Sequence, residues 1–192
     1  MFDFKLSRFL KLAAASLAFA SQAVLAAPVG FSGELTGSDP VFNRPFTTSA
    51  LSNVGTATSY DVFNFHVTAD GVYSMETLSA SFSSSDTFLA LYANAFDASS
   101  PLTNLLSVDD DSGVGLLSMI NQALQADVRY FLVVTSYFNS AFGTYTGSFD
   151  TVSGGGQVVL GDAVSDVPEP ATLALLPLAM LGMTLARRRQ RR

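Results

Sequence analysis

The chain has 192 residues, of which 16 are acidic and 10 basic, and it contains no cysteine. That excludes a thiol nucleophile, a thiolate metal site and a redox role. The formal net charge of −6 understates the acidity of the middle: between Ala27 and Asp166 only Arg44 and Arg129 oppose fourteen carboxylates, a formal −12. A surface of that sign disfavours nucleic acid and anionic lipid.

Taken in chain order, the first 26 residues read as a secretory signal peptide. Lys5, Arg8 and Lys11 precede an apolar run from Leu12 to Leu25, and Val24 and Ala26 stand at −3 and −1 of a cleavage site before Ala27. Ser16, Ser21 and Gln22 leave the run short and broken for a membrane-spanning helix.

Residues 27–152 form one domain, long enough to bury about two-thirds of its unfolded surface. In the segment SDPVFNRPF, Pro40 and Pro45 fix a loop, and Arg44 reads as a surface residue bonded to nearby carbonyls. Beyond it the period is two. YDVFNFHV places Phe63, Phe65 and Val67 on one face and Val62, Asn64 and His66 on the other. VYSMETLS alternates again, and the Asp70-Gly71 pair between these runs predicts a hairpin. TFLALYA, the loop DASSPLTN, Leu105-Leu106, the acidic turn DDDSG and the segments SMINQAL, VRYFLVVTSYF and GTYTGSF follow at antiparallel spacing. The expected class is all-β, an antiparallel jelly-roll-like β-sandwich. SGGGQVVLGDAVSD, residues 153–166, reads as a flexible linker, although GQVVL can extend the last strand.

The end of the chain is VPEPATLALLPLAMLGMTLARRRQRR. Residues 171–186 carry no charge and span about 24 Å as a helix, marginal against a hydrocarbon core of about 30 Å. The cluster of Arg187, Arg188, Arg189, Arg191 and Arg192 (residues 187–192) resists translocation and acts as a stop-transfer signal. A single transmembrane helix with a cytoplasmic basic tail is therefore expected, with the domain outside.

This tripeptide, Leu-rich helix and arginine cluster together resemble a PEP-CTERM sorting signal over residues 167–192. The resemblance implies an exported protein of a Gram-negative bacterium, held transiently in the inner membrane and then cut near Pro168, Glu169 and Pro170 by an exosortase, a membrane-embedded transpeptidase. It further implies a surface or extracellular place, with exopolysaccharide or biofilm as the setting. A second resemblance covers about residues 58–150. Asp86, Leu91-Tyr92, Asp109 to Asp111, Tyr130 to Val133 and Gly143 to Tyr145 are similar to the pattern of bacterial pre-peptidase C-terminal (PPC) domains, implying a non-catalytic sandwich module.

Few residues point to chemistry. Three carboxylates in DDDSG repel one another unless solvated or bound to a hard cation such as Ca²⁺, with Asp109, Asp111 and the more distant Asp86 as ligands. A solvated turn is the alternative. An EF-hand is excluded, because counting from Asp109 places Val114 at position 6 and Ile120 at position 12. Tyr137 and Tyr145, with Phe138 and Phe142, either form a sugar-stacking platform or pack the core. His66 is the sole histidine, and no Gly-x-Ser-x-Gly elbow accompanies it. The chain thus reads as a non-enzyme with a structural or adhesive role. A calcium-stabilised carbohydrate-binding module is the second reading.

Overall fold

The computed structural model describes residues 26–161, Ser83 excepted. The signal segment up to residue 25, the tripeptide, residues 171–186 and the arginine cluster lie outside the described residues.

The described residues form twelve strands: β1 (Val29–Leu35), β2 (Val41–Phe42), β3 (Pro45–Thr47), β4 (Ala50–Leu51), β5 (Thr58–Val67), β6 (Gly71–Ala80), β7 (Thr87–Ala93), β8 (Leu105–Asp109), β9 (Met119–Leu124), β10 (Tyr130–Ser136), β11 (Gly143–Ser153) and β12 (Val158–Leu160). One sheet has the order β1-β11-β6-β9. The other runs β12-β5-β10-β7-β8, with β2 also on β5, while β3 and β4 pair apart. Every pairing is antiparallel. The interleaved orders β1-β11-β6-β9 and β5-β10-β7-β8 are those of an eight-stranded jelly roll. Among these eight strands only β7 and β8 are neighbours both in the chain and in a sheet.

Alternation builds the core. Phe65 and Val67 of β5 meet Tyr73 and Met75 of β6, Leu132 and Val134 of β10, and Phe31, Tyr145 and Phe149 of the opposite sheet. Each large apolar side chain fully removed from water contributes about 1.5–3 kcal/mol. Phe63 packs against this cluster while Val62 faces solvent, as the period-two pattern requires.

β7 is different, because Thr87 to Tyr92 are all buried. Leu89 and Leu91 face the sandwich interior. Ala90 and Tyr92 join Phe42 and Val133 in a second cluster, packed by Tyr60, Phe96 and Leu105. A strand buried on both faces needs a cover on its outer face, and the 40–57 segment and the 94–104 loop supply it.

Two expectations need correction. Asp70-Gly71 does not close a hairpin: β5 pairs with β10, β12 and β2, whereas β6 pairs with β11 and β9. The connection crosses between sheets. Asp70 Oδ1 accepts a hydrogen bond from Ala126 N (2.8 Å), and Thr68 N donates to Gln157 O (3.0 Å). Ordered structure also continues past Ser153, because Val158–Leu160 pairs with Phe65–Val67.

The crossover is packed against the β11–β12 turn through glycines. A Cβ on Gly154, at φ +101°, would overlap Asp70 O, and one on Gly71 would overlap Ser153 O. Gly155, at φ +72°, has open space around it. Gly154→Ala is therefore expected to cost about 2–4 kcal/mol, from overlap and left-handed strain together. Gly155→Ala should cost only about 1–2 kcal/mol from the backbone. Thermal melting of the two variants checks the order, and equal losses would refute the close approach.

Candidate functional site

The β7–β8 register assembles an acidic site on the outer face of the larger sheet. Ala90 is opposite Val108, and Leu89 is opposite Asp109. Side chains alternate along a strand, so Val108, and next along the chain Asp110, share the outer face with Ala90, Phe88 and Asp86. Asp86 precedes β7, and Asp110 and Asp111 follow β8. Carboxylate oxygens of Asp86, Asp110 and Asp111 all lie within 4.8 Å of one another.

Of the three residues expected as ligands from the sequence, Asp86 and Asp111 come together and Asp109 does not join them. Asp109 points the other way. Its Oδ2 accepts hydrogen bonds from Met119 N (2.7 Å) and Ser112 N (3.1 Å), and its Oδ1 accepts one from Ser112 Oγ. These bonds tie the end of β8 to the start of β9. Asp110 stands in its place at the cluster.

Asp86 is only 8 % exposed. Its main-chain carbonyl accepts from Tyr137 N (3.1 Å), which fixes its position against β10. The next residue, Thr87, belongs to a buried hydroxyl cluster in which its Oγ1 lies 2.8 Å from Thr77 Oγ1 and 2.9 Å from Ser118 Oγ. The floor of the site is thus held by hydrogen bonds on three strands or their flanks. Within it, Asp86 Oδ1 and Asp110 Oδ1 are buried and have no hydrogen-bond partner.

Arg44 lies beside these acids and is fully buried, at 0 % exposure. The sequence-based expectation of carbonyl partners holds, but the surface position does not. Nε and Nη2 donate to Tyr137 O (3.2 and 3.1 Å) and Nη1 donates to Pro45 O (3.1 Å). Its guanidinium carbon sits 4.1 Å from the Phe88 ring centroid and 4.4 Å from that of Tyr137. The planar cation is thereby sandwiched between two aromatic faces, a contact strengthened by exclusion of water. Burial pulls its pKa below the usual arginine value, while the charge of Asp110 opposes that shift.

The acids respond in the opposite sense. Burial, with the charges of Asp111 and Asp86 adding to it, pushes Asp110 up to about 6, and Arg44 opposes the rise. Asp86 is also raised, first by burial and then by Asp111. Like charges held in a partly dry site disfavour full ionisation.

The aromatic platform does not form. Tyr145 is 1 % exposed, packs inside the sandwich and donates its hydroxyl to Asp61 Oδ2. A ring in that position cannot stack on a sugar. Its alternation on β11 turns it inward beside Phe149, whereas Phe138 and Phe142 project outward at 46 % and 44 % exposure. Tyr137 is committed to Arg44. His66 lies on β5 opposite Val159 of β12, away from the acidic cluster's strands.

A family model described as the PEP-CTERM protein-sorting motif matches residues 166–192. The chain therefore carries a PEP-CTERM sorting motif, which supports export and exosortase-mediated sorting. The comparison with curated proteins gives no match. Among the described residues no helix is long and apolar enough to cross a membrane.

Proposed function

We propose that this chain is a structural or adhesive protein of the bacterial surface or extracellular matrix, delivered there by its own processed tail. The sorting motif at residues 166–192 carries the reading. Residues 1–26 serve as the cleaved signal peptide. The uncharged segment 171–186 holds the chain in the inner membrane while Arg187 to Arg192 stop its transfer. A membrane-embedded exosortase is the partner, and Pro168, Glu169 and Pro170 are what it reads. The two prolines favour an extended chain there, suited to a protease groove. The exported part is a PPC-like, non-catalytic sandwich, and exopolysaccharide is the setting in which it works. An acidic surface with little positive charge suits a soluble, well-dispersed component of a hydrated matrix.

The test is fractionation of the host into membrane, matrix and medium, with an antibody to the sandwich domain. The reading expects the domain in the matrix fraction and a matrix that sheds more polysaccharide when the chain is deleted. A domain confined to the membrane, with an unchanged matrix in the deletion strain, would overturn it.

A further inference from the structure

We infer that Asp86, Asp110 and Asp111 form a calcium site that fastens the loop entering β7 to the loop leaving β8. The first ground is geometric. Three carboxylate oxygens from two chain segments all lie within 4.8 Å of one another, close enough for one cation to bind all three. Three carboxylates in an irregular loop site suit Ca²⁺ better than Mg²⁺, which dehydrates reluctantly and is usually held by one or two carboxylates.

The second ground is independent of the clustering. Asp86 is more than nine-tenths buried, and its Oδ1 lacks a hydrogen-bond partner, as does Oδ1 of Asp110. A buried, unpartnered carboxylate oxygen is costly unless something satisfies it. Asp109 shows the contrast, since Ser112 of the same turn and Met119 at the start of β9 supply it with three donors.

Charge supplies the third ground. Arg44 is the cation beside the cluster, yet its hydrogen bonds go to the carbonyls of Tyr137 and Pro45. Three carboxylates and one guanidinium leave a formal charge of −2, which one divalent cation neutralises. Three acids cannot fill a shell of six to eight oxygens, so water and main-chain carbonyls complete it. Such a partly hydrated site belongs in the affinity range of extracellular modules, a Kd of about 10⁻⁴–10⁻³ M. The inference rests on the sandwich alone and stands or falls separately from the sorting role.

The experiment uses the full chain purified in detergent, stripped with chelator and titrated with CaCl2 by calorimetry and thermal melting. Binding of about one Ca²⁺ with a rise in melting temperature is expected. Asp110→Asn and Asp111→Asn should each weaken binding at least tenfold. Asp110→Asn should also raise the melting temperature of the metal-free protein, because it relieves repulsion. A carboxylate that served only to stabilise the fold would do the reverse. Asp109→Asn should lower the melting temperature while leaving the calcium response in place. Should Asp86→Asn fail to fold, the two more accessible variants still decide the matter. No calcium response up to 10 mM, a level about 10–100 times the Kd range given above, or a full response in Asp110→Asn, would overturn the site. An equal response to Mg²⁺ would overturn the assignment to calcium.

Discussion

Arg44→Met is expected to lower the melting temperature of the domain by about 10–15 °C, corresponding to about 3–5 kcal/mol. Methionine keeps much of the apolar volume between Phe88 and Tyr137, so the loss isolates the guanidinium. Two main-chain carbonyls, of Tyr137 and Pro45, would lose their donors inside the protein. Hydrogen bonds to a charged group contribute about 1.5–3 kcal/mol each, and the orphaned acceptors add a desolvation cost. These terms overlap and do not simply add. Arg44→Lys should recover little, because an ammonium cannot reproduce the planar fork or the double-sided stacking. The backbone around it also suffers: Arg44 N donates to Gly55 O and Ser52 N donates to Arg44 O, and the side chain fills the space beside Gly55. Thermal melting of the two variants measures the effect. A methionine variant within 2 °C of wild type would show that the aromatic slot alone holds the 40–57 cover in place. The same substitution removes the positive charge next to the acids, so tighter calcium binding by the surviving folded protein is expected.

Changing Pro168, Glu169 and Pro170 together to alanine is expected to abolish processing while leaving the sandwich intact. The exported wild-type chain should lose its arginine cluster and acquire a new C-terminus near the tripeptide. The triple variant should stay in the membrane fraction with Arg187 to Arg192 attached. Intact mass of membrane and medium fractions distinguishes the two, and the contrast should be close to all-or-none. A variant released with the same new C-terminus as wild type would mean that the tripeptide is not the signal read. Since alanine does not disturb the apolar segment or the arginines, retention cannot then be blamed on a changed anchor.

Most strands from Thr58 to Phe149 were legible because their apolar residues recur at every second position, and β7 because its apolar run is unbroken. What could not be read was which strand meets which. Asp-Gly between two alternating runs is a hairpin signal only if the runs pair, and here β5 and β6 find partners more than sixty residues away. β1 carries Gly30 and Gly33, and glycine dilutes a strand pattern, so its pairing with β11 left little local trace. Arg44 illustrates a missed signal rather than an absent one. TFLALYA is apolar without interruption, which marks a strand buried on both faces. Something had to cover the outer face, and Phe42 and Arg44 come from the segment that does.

The acidic turn was legible in kind and misread in detail for a similar reason. Adjacent residues at a strand end point to opposite sides, so Asp109 and Asp110 cannot both face Asp86. Only the register of Leu89 with Asp109 decides which one does.

The interleaved sheets also set a timetable for an exported chain. β1 closes against β11, with Val29 opposite Phe149 and Leu35 opposite Gly143, and β5 waits similarly for β10. Closing such distant pairs is slow, because the loop entropy is spent before the contacts reward it. A polypeptide emerging N-terminus first can form β7 with β8 early, yet the smaller sheet is complete only when residue 153 is outside and the larger only when residue 160 is. Until then the first strand travels with both of its edges open, vulnerable to pairing with other chains. Folding of the cargo and arrival of its sorting tail at the membrane are therefore nearly the same event. On the proposed reading, a tail that halts translocation would also give the tethered sandwich the time it needs to close.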